Sequence, residues 1–504
     1  MSGETVDLPL IVAGRKRYAS SRDEALTFKS ESGLQARVPA LTREDLAAIE
    51  ESRETAGAQL AKMSILDVTT FLSQAGRIWA DPNSTGRQML TAHGAAFSEL
   101  PQRMIETDAA VFSAIMGNPH FTYDAIASEF GHERFLDEWL PTQMCYRRAF
   151  PRGLALHYLV GNIPLASMYS LLRGIITRNM NLAKWASRDP ITPLGMAEAL
   201  LAVDPDHPVV RSLSMAYWSH HDEIGDEALS MADAVCVWGG EEAVKAVKGR
   251  VGTGVPIAEY GPRWSAAVID LTRSDPEQAA YRLVEDVSYY DQEACLSAQR
   301  AFVYGDVEDL MRRMRRHFEA FSKVFPLGTV SKDALAHRAL SLTESRYLGW
   351  PVDQGDDWAT VVVEDPADVR VHPLSRTVYL HPVEDLGDIA RYFTKRTQTL
   401  GLYPWTLFRE HGDSWSRRGV DRMCELGAVR APRSGWSHDG SYGLHPLVRI
   451  VSVERPLEEH SQYWLGSDHD AWLRDHFRLE LAAGLGGEAG SATGAGPETG
   501  GDRR

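Results

Sequence analysis

One cysteine of this 504-residue sequence lies in surroundings that suit a reactive thiol. Cys295 ends the short polar stretch Tyr-Tyr-Asp-Gln-Glu-Ala-Cys, just ahead of an apolar run that is typical of a β-strand. A nucleophilic cysteine must be partly accessible and needs donors that stabilise its thiolate, whereas a structural cysteine usually lies inside an apolar segment, as Cys236 does. Cys295 is therefore our candidate nucleophile. Taken alone, an ordinary loop cysteine is the commoner explanation.

Two turns elsewhere in the chain have residue types that suit an oxyanion and a phosphate. Asn162 follows a short apolar run, and its amide N–H groups could hold the oxyanion of a tetrahedral intermediate. The alternative is a turn or a helix cap. Gly239 and Gly240 separate the apolar run 234–238 from a helical pattern, where glycine lets backbone N–H groups approach a phosphate. Two glycines are not a complete G-x-G-x-x-G motif, so an ordinary βα turn is the alternative here.

The elements that must position these residues alternate between strands and helices. A strand is predicted just before Asn162 and a helix just after it, and further strands are predicted at 181–186, 234–238, 255–258, 266–271 and 301–304. Such alternation predicts parallel α/β domains. Segments 43–61 and 64–80 have apolar residues three and four apart, which predicts surface helices of an N-terminal helical region.

Length and composition exclude several classes of protein. A chain of 504 residues exceeds the roughly 250–300 at which a single core stops growing, so two large domains are expected. The net charge of −16 leaves no basic face for nucleic acid. We find no apolar run of the ~18–20 residues that span a bilayer and no signal peptide, and we expect a cytoplasmic protein. The four cysteines lack disulfide or zinc spacing, so reduced thiols and no metal are expected.

Five segments, in order, resemble the aldehyde-dehydrogenase superfamily, and within it the LuxC-like acyl-CoA reductases of bacterial luminescence. The superfamily's Gly-Gln-x-Cys nucleophile loop resembles Gln292-Glu293-Ala294-Cys295, and its Asn-aromatic-Pro-Leu turn resembles Asn162-Ile163-Pro164-Leu165. Its Lys-Pro-Ser-Glu strand end is similar to Lys184-Trp185-Ala186-Ser187. Its Thr-Gly-Ser turn resembles Trp238-Gly239-Gly240, and its Glu-Leu-Gly-Gly segment resembles Glu259-Tyr260-Gly261-Pro262. The likeness runs from about residue 151 to residue 454.

The resemblance implies an α/β fold of the aldehyde-dehydrogenase type. It comprises a doubly wound nicotinamide-binding domain, a smaller α/β catalytic domain and an oligomerisation arm. We accordingly predict five regions: an N-terminal helical region at 1–105, the cofactor domain at 106–262, the catalytic domain at 263–445, the arm at 446–481 and a disordered tail at 482–504. The tail is predicted from its Gly/Ala/Glu composition, which is too poor in large apolar residues to fold.

The function implied by the resemblance is NADPH-dependent reduction of an acyl thioester to the aldehyde through a covalent acyl-Cys295 intermediate. The acyl group would be fatty and carried by coenzyme A or a carrier protein. Asn162 and the backbone N–H of Cys295 would hold the oxyanion. The cofactor would bind over Lys184 and the Gly239-Gly240 turn. A homo-oligomer is expected from the family, and an acyl-activating synthetase is a possible partner.

Two departures from the superfamily pattern concern the cofactor. The Glu-x-Phe-Gly-Pro motif, whose glutamate holds the nicotinamide ribose, is replaced by segment 369–373, which has no acid at that place. Ser187 and Arg188 stand where an acidic residue would bind both ribose hydroxyls. A hydroxyl beside a guanidinium accommodates a 2′-phosphate that a carboxylate would repel. We therefore expect NADPH rather than NADH, with Ser187 and Arg188 among the cofactor-binding residues.

Glu259 has two possible roles. A carboxylate that activated water would hydrolyse the acyl-enzyme, so in a reductase Glu259 would instead deprotonate Cys295 or position a substrate. A purely structural role is equally open. Segment 436–440 and His445 resemble the C-terminal signature of the reductase family, and the only roles that we assign to them from the sequence are loop structure and possible pocket lining.

Three rival functions remain at this point. An aldehyde dehydrogenase working in the oxidative direction would need Glu259 to activate water. A non-redox thiol acyltransferase or thioesterase would hold an acyl group on Cys295 without binding nicotinamide. An inactive scaffold would retain the fold alone, which the joint presence of Asn162, Lys184 and Cys295 disfavours.

Overall fold

Short apolar strands alternate with helices through most of the computed structural model, which describes residues 5–20, 24–142 and 144–455. The strands are β1 Thr5–Asp7, β2 Leu10–Val12, β3 Arg15–Arg17, β4 Ala25–Lys29, β5 Gln35–Pro39, β6 Leu140–Pro141, β7 Cys145–Pro151, β8 Leu154–Tyr158, β9 Met180–Lys184, β10 Leu213–Ala216, β11 Ala234–Trp238, β12 Ile257–Tyr260, β13 Trp264–Asp270, β14 Ala298–Tyr304, β15 Val352–Gln354, β16 Ala359–Val362, β17 Thr377–Pro382, β18 Thr397–Tyr403, β19 Arg422–Glu425 and β20 Val448–Glu454.

The helices fall between these strands, so that most parallel strands are joined by a helical crossover. They are α1 Arg43–Ser52, α2 Ala58–Leu60, α3 Ile65–Ala80, α4 Thr85–Met89, α5 Ala95–Ser98, α6 Gln102–Gly117, α7 Pro119–Phe130, α8 Pro164–Ile176, α9 Ile191–Val203, α10 Pro208–Arg211, α11 Ile224–Ser230, α12 Glu241–Lys248, α13 Pro276–Ser288, α14 Val307–Val324, α15 Lys332–Tyr347 and α16 Leu407–Ser416. Within the described ranges, no helix is long and apolar enough to cross a membrane.

Contacts divide the chain into two units. The larger comprises Met1–Glu138 and Ala149–Ile450, and the smaller comprises Trp139–Arg148 and Val451–Arg504. In the smaller unit β6 pairs antiparallel with β7, Leu140 opposite Arg147. From residue 456 onward, the predicted arm and all of the predicted tail lie outside the described residues.

The first large sheet has the strand order β12-β11-β8-β9-β10-β2-β3. Its strands β8 to β12 are all parallel. The chain runs outward through β8, β9 and β10, and then crosses back to add β11 and β12 on the other side of β8. The sheet is therefore doubly wound, as predicted, and the carboxyl ends of β8 and β11 mark the topological switch point where such sheets bind ligands.

The second large sheet has the order β15-β16-β17-β14-β13-β18-β19, and only its edge strand β15 is antiparallel. Successive side chains of β14 pack into two hydrophobic cores on opposite faces of the sheet. Ala301 and Val303 pack on one face with Phe318 of α14, and Phe302 packs on the other with Trp415 of α16. Parallel strands are buried on both faces in this way when helices cover the sheet. The predicted nucleophile, Cys295, lies in the loop that leads into strand β14 of this sheet.

The N-terminal segment differs from what its sequence led us to expect. Helices do occupy most of 43–61 and 64–80, and capping boxes begin α1 at Thr42 and α3 at Ser64. Five short strands precede them, however, and β2 pairs antiparallel with β10. The first large sheet thus includes two strands from a segment that we assigned to a separate helical region. The predicted domain boundaries stay predictions.

Candidate active site

A pocket of about 490 Å³ lies where the carboxyl ends of β8, β9, β11 and β12 approach the residues that precede β13 and β14. Asn162, which follows β8, and Cys295, which precedes β14, both line this pocket. The predicted cofactor residues Ser187, Arg188, Gly239 and Gly240 also line this pocket. The structure therefore brings together six of the eight predicted site residues and leaves Lys184 and Glu259 outside the lining.

The loop before Cys295 is held in an unusual backbone conformation. Tyr290, Asp291 and Gln292 have φ values of 57°, 50° and 67°, which lie in the left-handed region that residues other than glycine rarely adopt. The buried Gln292 amide offsets this strain, since its nitrogen donates to the carbonyl oxygens of Ala298 (2.8 Å) and Thr377 (2.7 Å) and its oxygen accepts from the Thr377 N–H (3.0 Å). Gln292 thus fixes the loop to β14 and β17.

A buried ion pair holds the same loop on its other side. The Arg376 guanidinium, which is wholly buried, donates to Asp291 Oδ1 from Nε (2.8 Å) and from Nη2 (2.5 Å). Burial raises the pKa of Asp291, while Arg376 and the Gly328 N–H favour its charged form. Neither Asp291 nor Arg376 was a candidate from the sequence, because nothing in their local sequences shows that they meet.

Cys295 is a partly buried residue of the pocket lining, and its backbone carbonyl accepts a hydrogen bond from the Ser265 hydroxyl at 2.7 Å. Burial, together with the nearby charge of Asp439, raises the pKa of Cys295 to about 11. Gln398 and the backbone N–H groups of Cys295 and Leu296 act in the opposite direction. At neutral pH the thiol is therefore protonated, and nucleophilic attack requires a group that removes its proton.

Asn162 is fixed beside the nucleophile loop. Its amide nitrogen donates to the backbone carbonyl of Glu293, two residues before Cys295, at 2.9 Å. A carboxamide nitrogen carries two N–H groups, so one remains for a ligand in the pocket. Asn162 and Cys295 line the same pocket, as an oxyanion donor and its nucleophile must.

Lys184 ends β9, outside the pocket lining but at the same edge of the sheet. Its Nζ lies 5.1 Å from the ring centre of Tyr217 and 5.9 Å from that of Trp218. Burial lowers the pKa of Lys184 to about 8. Within the described residues no carboxylate forms an ion pair with Lys184, which leaves its donors for a bound ligand.

Ser187 and Arg188 stand at the junction of this pocket with a neighbouring cavity of similar volume. Ser187 is exposed. The Arg188 guanidinium already pairs with Glu99 (2.9 Å) and with Glu293 (3.1 Å), neither of which the sequence pattern connects to it. These carboxylates compensate much of the positive charge that we expected to attract a 2′-phosphate.

The Gly239-Gly240 turn joins β11 to α12 at the switch point. Gly239 has a φ of 155°, which residues with a side chain rarely adopt. A Cβ atom at Gly240 would meet no atom within 4 Å. The turn thus requires glycine at 239 for its backbone shape and leaves open space at 240 in front of the helix N-terminus. Such a turn suits a phosphate group.

Glu259 lies outside the pocket. Its half-exposed carboxylate pairs with Lys248 of α12 at 2.6 Å, and it lines a separate surface cavity. The next residue, Tyr260, faces the Cys295 pocket instead, because successive side chains of a strand point to opposite faces. Of the two roles that the sequence left open for Glu259, the geometry favours the structural one.

His438 also lines the pocket, a place that the sequence left open for its segment, although the residue pattern indicated no chemical role for it. The only signal was its place in the aromatic and glycine-rich segment 436–440, far from Cys295 along the chain. Trp238 and Tyr260, whose rings stack at 3.9 Å, line the pocket beside it. An apolar wall and a histidine therefore complete the site.

The doubly wound sheet has a glycine turn at its switch point, and in the second sheet a cysteine loop precedes strand β14. This is the fold of the aldehyde dehydrogenases, as two solved structures show. Aldehyde dehydrogenase 21 from Physcomitrella patens has a TM-score of 0.68 with this chain, at 16% identity over 90% of this chain and 99% of that one. The NADP-dependent glyceraldehyde-3-phosphate dehydrogenase of Bacillus halodurans, solved with NADP, has a TM-score of 0.67, at 14% identity over 89% and 99%. At these identities the likeness shows the fold.

Sequence comparison places the chain more narrowly. Residues 60–450 match the model of the acyl-CoA reductase (LuxC) family. The long-chain acyl-protein thioester reductase of Vibrio harveyi is 33% identical over 403 residues, which cover 79% of this chain and 84% of that protein. The chain therefore belongs to the acyl-CoA reductase (LuxC) family, and the family predicted from the five segments is confirmed.

Proposed function

We propose that this protein reduces a long-chain acyl thioester to the aldehyde, using a reduced nicotinamide cofactor and a covalent acyl-Cys295 intermediate. The observation that carries this proposal is the pocket that joins Cys295 and Asn162 to the Gly239-Gly240 turn while Glu259 lies outside it. The Vibrio harveyi relative is named an acyl-protein thioester reductase, and we take its substrate class, an acyl group on a carrier thiol, as the substrate class here.

Covalent capture of the acyl group depends on the residues of the nucleophile loop. The Cys295 thiolate attacks the thioester carbonyl, and the free N–H of Asn162, with the backbone N–H of Cys295, stabilises the oxyanion. The carrier thiol then leaves, and the acyl group remains on Cys295. The ties through Gln292 and Arg376 hold the loop in one geometry, so little reorganisation is needed at the moment of attack.

The residues at the carboxyl edge of the first sheet fit a nicotinamide dinucleotide. The Gly239-Gly240 turn leaves room for a pyrophosphate, and the Lys184 ammonium has no carboxylate partner within the described residues. When bound there, the cofactor supplies the two electrons and the hydrogen that convert the acyl carbon to an aldehyde. The chain's own part is to exclude water around Cys295, with Trp238 and Tyr260 as an apolar wall.

NADPH is our proposed cofactor, with a modest preference over NADH. Position 187 is a serine, so no carboxylate repels a 2′-phosphate there. Arg188 lies next to it, with its charge shared between Glu99 and Glu293. Because the phosphate must compete with two carboxylates for this guanidinium, the discrimination is smaller than a free arginine would give.

The position of Glu259 weighs against the oxidative direction. An aldehyde dehydrogenase must activate water to hydrolyse its acyl-enzyme, and the carboxylate that the resemblance offered for this step pairs with Lys248 outside the pocket. An acyl-enzyme protected from hydrolysis persists until it is reduced. This arrangement favours a reductase.

The test is to mix purified protein with NADPH and a panel of long-chain acyl thioesters, on coenzyme A and on an acyl carrier protein. Wild type should oxidise NADPH and form aldehyde in equal amounts, and Cys295→Ala should do neither. If thioesters acylated Cys295 but none of the panel caused NADPH oxidation, the protein would be a non-redox acyltransferase and this proposal would be wrong. A homo-oligomer and an acyl-activating synthetase as partner remain predictions, to be tested by light scattering and by co-purification.

A further inference from the structure

A histidine with an unused nitrogen faces the same pocket as Cys295. His438 is 7% exposed, and its ring packs among the rings of Trp238 (5.1 Å), Tyr260 (4.6 Å) and Trp436 (4.5 Å). Within the described residues its Nε2 has no hydrogen-bond partner, although it is buried. This nitrogen is therefore available to a group that enters the pocket.

Polar side chains lie beside His438 in the pocket that Cys295 also lines. Its Nε2 lies 3.8 Å from Oδ1 of Asp439, and this oxygen accepts a hydrogen bond from the Gln398 amide at 2.5 Å. Gln398 and the charge of Asp439 both act on the pKa of the Cys295 thiol, in opposite directions. The imidazole is therefore adjacent to polar groups that act on the reacting atom.

The charges around His438 keep its imidazole neutral. Burial lowers the pKa of His438 well below 6.5, and the guanidiniums of Arg173, Arg422 and Arg263 act in the same direction. Asp439 is the acidic group beside it, and burial raises the pKa of Asp439 to about 6. A neutral imidazole has a nitrogen lone pair that can accept a proton, and its low pKa means that the protonated form gives the proton up readily.

The other titratable groups lining the pocket are already engaged. The Glu293 carboxylate pairs with Arg188 at 3.1 Å. The Tyr260 hydroxyl accepts a hydrogen bond from Arg173 at 3.0 Å, and burial raises the pKa of Tyr260 to about 12. Among the described residues that line the pocket, His438 has the free basic nitrogen.

We propose that His438 carries the proton of the acylation step, an inference that rests on the proposed function. Its Nε2 takes the proton of the Cys295 thiol as the Cys295 sulfur bonds to the acyl carbon. When the tetrahedral intermediate collapses, the bond from carbon to the carrier sulfur breaks and the electron pair leaves with that sulfur. The protonated imidazole gives its proton to the departing thiolate. The products are acyl-Cys295, the free carrier thiol and neutral His438, so the step balances.

The test measures carrier-thiol release from an acyl-CoA in a rapid-mixing experiment without cofactor, across a pH series, on wild type and His438→Gln. General acid–base catalysis contributes on the order of 100- to 10,000-fold, so the variant should acylate at least ~100-fold more slowly at neutral pH. His445→Gln is the matched control. His445 belongs to the same C-terminal signature but is exposed, and its Nε2 pairs with the backbone carbonyl of Glu129 at 2.9 Å, so its rate should stay within about twofold.

The pH profile separates proton transfer from a structural role. In wild type His438 is already neutral at neutral pH, so the rate should be flat as the pH rises. In His438→Gln attack depends on spontaneous ionisation of Cys295, whose pKa is about 11, so the rate should rise about tenfold per pH unit. A variant that loses the same factor at every pH, or that acylates as fast as wild type, overturns the role of His438. Wild type that releases thiol from no thioester overturns the proposed function itself.

Discussion

Arg376 and Asp291 form a wholly buried ion pair that joins two strained turns. Residues 290–292 and residues 374–376 all have positive φ, and the guanidinium of the second turn bonds the carboxylate of the first at 2.5 and 2.8 Å. A second tie runs from Gln292 to the backbone of Thr377. The geometry of the nucleophile loop is thus set by contacts with β17 and not by its local sequence.

Loss of this ion pair should affect both stability and acylation. Arg376→Met leaves the Asp291 carboxylate buried without its partner, which costs on the order of 3–5 kcal/mol, and it frees the loop that carries Cys295. We expect a lower melting temperature and slower thiol release from an acyl thioester. Arg134→Met is the control, since the exposed pair of Arg134 with Glu138 contributes little. Equal melting temperatures for the two variants would show that the Arg376–Asp291 ion pair does not stabilise the nucleophile loop.

The oxyanion role of Asn162 predicts a loss of rate without a loss of binding. Asn162→Ala removes a donor worth on the order of 100- to 1,000-fold in kcat, and NADPH affinity should change little because the Gly239-Gly240 turn is untouched. Single-turnover aldehyde formation and a cofactor titration measure the two quantities. Should the variant retain wild-type kcat, the oxyanion would have to be held by backbone groups alone.

Glu259 should be dispensable for the reaction. Its carboxylate pairs with Lys248 on the surface, so Glu259→Gln should keep the rate of aldehyde formation within about twofold of wild type. Lys248→Gln removes the same pair from the other side and serves as the control. A large loss of kcat in Glu259→Gln, with Lys248→Gln unaffected, would show that this carboxylate reaches the thioester during the reaction.

Cofactor preference should respond to a single charge at position 187. Ser187→Glu places a carboxylate where we expect the 2′-phosphate, and it should lower kcat/KM for NADPH by about tenfold or more while leaving NADH nearly unchanged. Ser187→Gln controls for side-chain size. If both variants changed the two cofactors alike, the ribose would bind elsewhere and our assignment of Ser187 and Arg188 would be wrong.

The residues recoverable from sequence are those with a local signal. Cys295 precedes an apolar strand and Asn162 follows one, so both could be placed at strand ends before their distance was known. Parallel α/β domains were predictable because strands and helices alternate along the chain, and the doubly wound topology was implied by the family resemblance.

The remainder of the site depends on contacts that are remote in sequence. The Arg188 partner Glu99 is 89 residues away, and its effect on the expected phosphate site could not be read from Ser187-Arg188 alone. The predicted strand 255–258 ended before Glu259, whereas β12 runs from Ile257 to Tyr260, so the Glu259 and Tyr260 side chains point to opposite faces. Strands β2 and β3 have three residues each and pair through their backbones, so they carry little periodic signal.

The most direct test of the account is mass spectrometry of the intact protein after mixing with a long-chain acyl thioester, followed by a chase with NADPH. We predict one acyl adduct, mapped by peptide digestion to Cys295 and absent from Cys295→Ala, that disappears on the chase as an equal amount of aldehyde forms. An adduct on another residue, or aldehyde formed by Cys295→Ala at the wild-type rate, would contradict the covalent mechanism.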